Sequence, residues 1–299
     1  MTNHGESGGF RRPFWRAALR RLLSLVLTVL LAAFLAAALV RVAPGFGMDE
    51  RLLDPRLSDS SIRAIQAENA QEANLARYFG RYFSGLFRGE LGQSVSFGEP
   101  VRDLIADRLG LTLRSVAAGV GWAWSAAAVV ALALGLARRR GWDMAATALS
   151  GGLLCLPAAV IALLALYFGV GPGAAIAAIL LPRILRYIQN ITGAAAERPH
   201  VLAARARGIA GPALLLRHVW LPASAELLAL AGVSVNMALG AAVPVEALCD
   251  SPGVGQLVWK AALARDLPVV VNVTILIAAI TASANLVSDA LCFSLGREA

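Results

Sequence analysis

The sequence predicts an all-α membrane protein of about six transmembrane helices, with an amphipathic extracytoplasmic segment between the first and second spans. Three observations carry this. Of the 299 residues, 58% are hydrophobic and 15% charged, with a mean hydropathy of +0.67, whereas a soluble domain carries about 25% charged residues. The apolar residues gather into runs close to the ~20 residues that cross a hydrocarbon core. The net charge of +8 is almost wholly arginine, Lys260 being the sole lysine, and the arginines sit between the runs rather than on one continuous patch. That distribution is one of membrane topology and argues against nucleic-acid binding.

Residues 1–21 form a basic tail with Arg11, Arg12, Arg16, Arg20 and Arg21, and the charge-free run Leu22–Leu39 opens the first span, assigned to 22–42. The length of that run predicts an uncleaved anchor; a signal peptide needs a shorter core and a small-residue cleavage site. Residues 43–110 are too polar for lipid and are assigned outside. Within them Ile62–Phe87 reads as an amphipathic helix, with Tyr78, Phe79, Tyr82, Phe83 and Phe87 at helical steps and Glu68, Glu72, Arg77, Arg81 and Arg88 opposite. Aromatics so spaced are read as packing. The segment ends in Gly89-Glu90-Leu91-Gly92-Gln93-Ser94 and Gly98-Glu99-Pro100-Val101, where glycines and proline mark turns.

Residues 111–295 are assigned to a five-helix core. Its spans are Ser115–Leu136, Ala145–Val170, Leu221–Val245 and Val269–Phe293, with a weaker one over Gly173–Ile191. With the N-terminus cytoplasmic, Arg138, Arg139, Arg140, Arg198, Arg205, Arg207, Arg217 and Arg297 all fall inside, and the outer turn near Gly171 carries none. This is the positive-inside pattern, and it also leaves the tail 296–299 cytoplasmic. Trp15, Trp142 and Trp220 stand beside those arginines, as interfacial aromatics do. Arg183 and Arg186 fall within the weaker span. The preferred reading has them snorkel to the cytoplasmic interface; the other has them face a water-filled path or a partner subunit.

The cytoplasmic loop, about 192–220, holds an alanine-rich helix former, Val201-Leu202-Ala203-Ala204-Arg205-Ala206-Arg207, that Gly208 either ends or opens to a close backbone approach. A small-residue surface flanked by arginines suits docking into a partner's groove; the plainer alternative is an ordinary connection between spans.

Catalytic chemistry has no foothold. Cys155, Cys249 and Cys292 lack ligand spacing, and His4, His200 and His218 lie far apart without a neighbouring carboxylate at metal spacing, so no metal site is expected. Neither a phosphate-binding loop nor H-E-x-x-H nor G-x-S-x-G occurs.

Ala203-Ala204-x-x-x-Gly208 followed by Leu221-Pro222 resembles the "EAA" loop of ABC importer permeases. Further stretches in order, namely Tyr82 to Ser94, Pro100-Val101, Leu111-Thr112-Leu113, Ala204 to Gly208, Val245-Glu246, Pro252-Gly253-Val254-Gly255, Arg265-Asp266-Leu267-Pro268 and Asn285 to Asp289, are similar to the dipeptide/oligopeptide/nickel permease family of first-permease type. Leu202 stands where the broad motif has its glutamate, and the tail lacks the family's Asp-Pro-Arg.

The resemblance implies a type I ABC importer transmembrane domain in a bacterial inner membrane, importing peptides or nickel complexes and related solutes. Val201 to Gly208 would be its coupling helix. Glu246, Pro252, Gly253, Gly255, Arg265 and Asp266 would form an extracytoplasmic gate or binding-protein contact; read from the residues alone, the same stretch is equally a rigid hairpin that only sets the packing of the final spans. Gly89, Gly92, Ser94, Pro100, Asn285 and Asp289 would be structural motif positions. The implied partners are a second permease, two ATPase subunits that hold ATP and magnesium, and an extracytoplasmic solute-binding protein; the chain itself would need no cofactor. A transport-inactive scaffold and a stand-alone ion-coupled carrier are the alternatives.

Overall fold

The computed structural model describes residues 23, 26–35, 38, 85, 90–137 and 140–295. The predicted helix over 62–87 (residue 85 apart), Gly89, the basic tail and the last four residues lie outside the described residues. The elements are α1 (Val26–Leu35), α2 (Val101–Ala137), α3 (Arg140–Leu154), α4 (Ala158–Tyr167), α5 (Pro172–Ala196), α6 (Pro199–Ala206), α7 (Gly211–Leu214), a π-helical stretch Leu215–Trp220, α8 (Ser224–Leu248), α9 (Val254–Leu263) and α10 (Leu267–Leu295). The described chain has no sheet, only an isolated antiparallel bridge between Gln93 and Pro100.

Among the described residues four helices, α2, α5, α8 and α10, are long and apolar enough to cross a membrane. The described part of α1 is apolar but shorter than a span. In place of one continuous helix over 145–170, the chain forms α3 and α4, bent by 90° at the break between them, the geometry of a broken span or a re-entrant loop. Pro157 lies in the break at φ −60°, ψ 141°; its ring supplies no N–H and disfavours helix in the residue before it.

A second difference concerns α2. Its 37 residues begin at Val101, so residues 101–110, assigned outside the core, are the first turns of the same rod. At 1.5 Å per residue it is about 55 Å long, well beyond a ~30 Å hydrocarbon core. The outer turns are amphipathic: Val101, Leu104 and Ile105 are buried against Val254, Leu257, Ala261, Val269, Val270 and Val273, while Arg102, Asp103 and Asp107 face outward.

Small residues bring the spans close, the usual solution where lipid offers no hydrophobic drive between helices. A Cβ on Gly119 of α2 would lie 2.5 Å from Ile176 Cγ2 of α5, and one on Gly173 3.2 Å from Ala118 Cβ. A Cβ on Gly232 of α8 would lie 2.7 Å from that of Ser288 on α10, whose Oγ donates to Leu228 O at 2.7 Å. Trp124 Nε1 donates to Ser234 Oγ at 3.1 Å, tying α2 to α8, the helix that touches α2, α4, α5, α9 and α10.

Candidate functional site

The predicted coupling residues form a short helix with two unlike faces. Pro199 starts α6 at a position whose N–H would be unpaired anyway. Val201 and Ala204 are fully buried and pack with Ala195, Leu214, Val219 and Ala223. Leu202, Ala203, Arg205, Ala206, Arg207 and Gly208 are exposed. Gly208 has φ +83° with open space around it, so it ends the helix and accommodates no neighbour. Gly208 N–H donates to Arg205 O at 2.9 Å and Ile209 N–H to Ala204 O at 3.1 Å, a Schellman closure. Two tethers hold α6 to the bundle: Arg198 Nη2 to Glu226 Oε1 at 2.6 Å, and His200 Nε2 with His218 O at 2.9 Å.

The predicted gate residues cluster at the opposite end of the bundle. Glu246, wholly buried near the end of α8, accepts from Gly255 N–H at 2.7 Å and so caps the start of α9, while Val254 N–H donates to Thr112 Oγ1 at 2.8 Å. This explains the glycines: a Cβ on Gly253 would collide with the Glu246 carboxylate, and one on Gly255 would lie 2.8 Å from Glu246 Oε2 and from Val243 Cα. Pro252 stays exposed in the turn. Arg265 closes α9 in the left-handed region, φ 57°, with Asp266 N–H donating to Ala261 O at 2.8 Å.

Asp266 is buried and joins distant parts of the chain. It accepts from Ser94 Oγ at 2.5 Å, Ser96 N–H at 2.9 Å and Val269 N–H at 3.3 Å, so it caps α10 and pins the 91–100 turn. Asn272 Nδ2 donates to Leu91 O at 2.9 Å. Gly92 and Gly98, φ +79° and +69°, shape that turn, and Val101 N–H donates to Gly92 O as Pro100 leads into α2. Two predicted groups thus become one: the structural positions Gly92, Ser94 and Pro100 and the gate residue Asp266 are a single clamp.

Asn285 and Asp289 stand apart from both clusters. With Asn236, Thr274 and Thr281 they line a groove of about 480 Å³ between α8, α10 and α1. Ser288 between them makes the packing contact. Sequence reasoning missed Thr112, Ser96 and Asn272 as site members; Thr112 lies within Leu111-Thr112-Leu113, but nothing in its spacing announces Val254 as a partner. Among the described residues no group of His, Cys, Asp and Glu could hold a metal ion.

A bundle of apolar helices long enough to cross a membrane agrees with the comparisons. Residues 105–297 match the family described as binding-protein-dependent transport system inner membrane component. A Brucella suis biovar 1 protein named as a peptide permease is 26% identical over 305 residues, covering 92% of this chain and 95% of its own length. The oligopeptide transport system permease protein OppB of Escherichia coli K12 is 27% identical over 285 residues, covering 88% and 92%. With the family match spanning well over half its length, the chain belongs to the binding-protein-dependent transport system inner-membrane components: it is a multi-pass membrane component of a transport system.

Proposed function

We propose that this permease carries peptides inward by alternating access, driven by two ATPase subunits, one of which docks on α6. One observation carries the reading: α6 is fixed to the bundle by Val201 and Ala204 yet turns Leu202, Ala203, Arg205 and Ala206 outward. Such a helix transmits a push to α5 and α8, which flank it, through the buried face and the Arg198–Glu226 pair. The exposed Leu202, in place of an acid, would make the docking contact partly apolar. The chemistry of ATP and magnesium belongs to the ATPase subunits. The peptide assignment rests on what the named relatives carry. In this reading the N- and C-termini are cytoplasmic, the Glu246–Asp266 end faces a solute-binding protein, and a second, homologous permease completes the path.

The test is affinity capture of the tagged chain from native membranes, beside a Leu202→Asp/Ala203→Trp variant whose changes touch only the exposed face. Recovery of an ATPase and a second permease with the native chain, with the ATPase lost from the variant, supports docking through α6. An ATPase retained by the variant removes this helix as the coupling element. Recovery of neither from membranes holding intact chain leaves a scaffold or carrier.

A further inference from the structure

Arg183 and Arg186 lie on α5 where a charge is hardest to place. Glycine contacts set the register of α5 on α2: Gly119 meets Ile176, and Gly173 meets Ala118. The two helices run in the same direction, since α8 is antiparallel to both. It meets α2 through Trp124–Ser234, and Gly135 of α2 lies near Leu215, ahead of α8; it meets the end of α5 through Arg198–Glu226. About two turns beyond the Gly119–Ile176 contact, Arg183 is level with Ala126, the midpoint of the charge-free stretch 115–137 of α2.

Depth along α5 agrees. About 20 Å of helix separates Arg183 from the cytoplasmic end at Ala196, and about 15 Å separates Arg186. A snorkelling side chain recovers at most the length of its own aliphatic stem, which falls well short of such a distance. Neither guanidinium reaches the interface from there.

The side chains also point away from the fold. Ile184, Leu185 and Ile188 are buried, whereas Arg183, Arg186, Tyr187 and Asn190 are exposed along one face, continuing to Gly193, Ala194 and Glu197. Among the described residues no carboxylate pairs with either arginine. Lipid against this face would carry a cost of several kcal/mol per charge, so it must meet water or polar groups. Spaced at i, i+3, the two side chains spring from neighbouring points about 5–6 Å apart, close enough to share one carboxylate through charge-assisted hydrogen bonds.

We infer that Arg183 and Arg186 line the aqueous path and give a passing solute's carboxylate a transient mid-membrane site. This rests on the importer reading above and adds to it the chemical class of group recognised on the way through. The site serves transport by being weak: two solvated guanidiniums attract a carboxylate into the path without holding it there.

The test compares uptake of trialanine and of its C-terminal amide by the assembled transporter, native and Arg183→Gln/Arg186→Gln. Each variant rate is divided by the native rate for the same peptide, which cancels any preference of the solute-binding protein. The expected result is about a tenfold loss for trialanine with the amide little changed, and recovery in Arg183→Lys/Arg186→Lys. Equal loss for both peptides, or loss for neither, overturns the inference.

If the native transporter carries neither peptide, the peptide assignment fails and a substrate-free readout decides. With Cys155, Cys249 and Cys292 replaced by alanine, Arg186→Cys is exposed to anionic and cationic water-soluble methanethiosulfonates in the folded complex. Labelling that is faster with the anionic reagent, drawn by Arg183, supports the site. Absence of labelling, or no preference for the anionic reagent, overturns it.

Discussion

The two ends of this molecule are built on opposite principles. The Glu246–Asp266 end is held by buried polar groups: Glu246 on α9, Thr112 on Val254, Asp266 on Ser94 and Ser96, and Asn272 on Leu91. The α6 end is held by apolar contacts under α6, by one exposed ion pair and by the His200–His218 hydrogen bond. Buried hydrogen bonds demand their partners, because an orphaned group costs its full desolvation. An exposed pair contributes little and yields easily. The Glu246–Asp266 end is therefore a locked clamp, and the α6 end a lightly tethered handle.

The largest expected effect breaks the clamp. In Gly255→Val the new side chain meets Glu246, Val243 and Ala242, two of them through backbone atoms, and overpacking of that kind costs about 3 kcal/mol or more. The chain should fail to appear as a monodisperse peak in detergent gel filtration; normal yield and melting temperature would show that the Glu246 loop is soft.

Next comes Asp266→Ala, which orphans Ser94 and the α10 N-terminus at a cost of about 2–3 kcal/mol. The folded chain should survive with a lower melting temperature, and protease should cut the 91–100 turn sooner. Asp266→Asn, which keeps an acceptor, should recover part of the loss.

At the handle, Ala204→Leu overfills a buried site and should cost about 1–3 kcal/mol, while Ala203→Leu, one position away but exposed, should leave the melting temperature unchanged. Equal effects from the two would dissolve the distinction between the faces of α6. Gly208→Ala should cost about 1 kcal/mol through its positive φ alone. The smallest effect belongs to Arg198→Gln, about 0.5 kcal/mol or less. A large loss there would mean that the handle depends on its tether, which would sink the contrast between the two ends.

Much of the architecture was legible along the chain, because hydrophobic length and arginine placement are local properties. The runs around 115–136, 221–245 and 269–293 became α2, α8 and α10 with boundaries shifted by a few residues, apart from the outer turns of α2. Gly208 was readable as either a stop or a point of close approach, and its positive φ with open space around it decided for the stop. The 90° bend was missed: hydropathy runs on through 145–170, and Pro157 acts on backbone geometry rather than polarity.

What the sequence by itself determined is the class: a multi-span bundle, a short helix former between two spans, and short motifs in family order. What only tertiary structure decided is which motifs act together. Ser94 and Asp266 lie 172 residues apart, and no periodicity links them. Gly253 and Gly255 read as turn residues, yet Gly255 must be glycine because a carboxylate nine positions earlier folds back onto its N–H. Arg183 and Arg186 could be placed within a span from the sequence, but their depth and the face they occupy depended on how α5 packs on α2. Hydropathy sums along one dimension, whereas caps, clamps and lining faces are set by neighbours that the chain supplies only after it has folded.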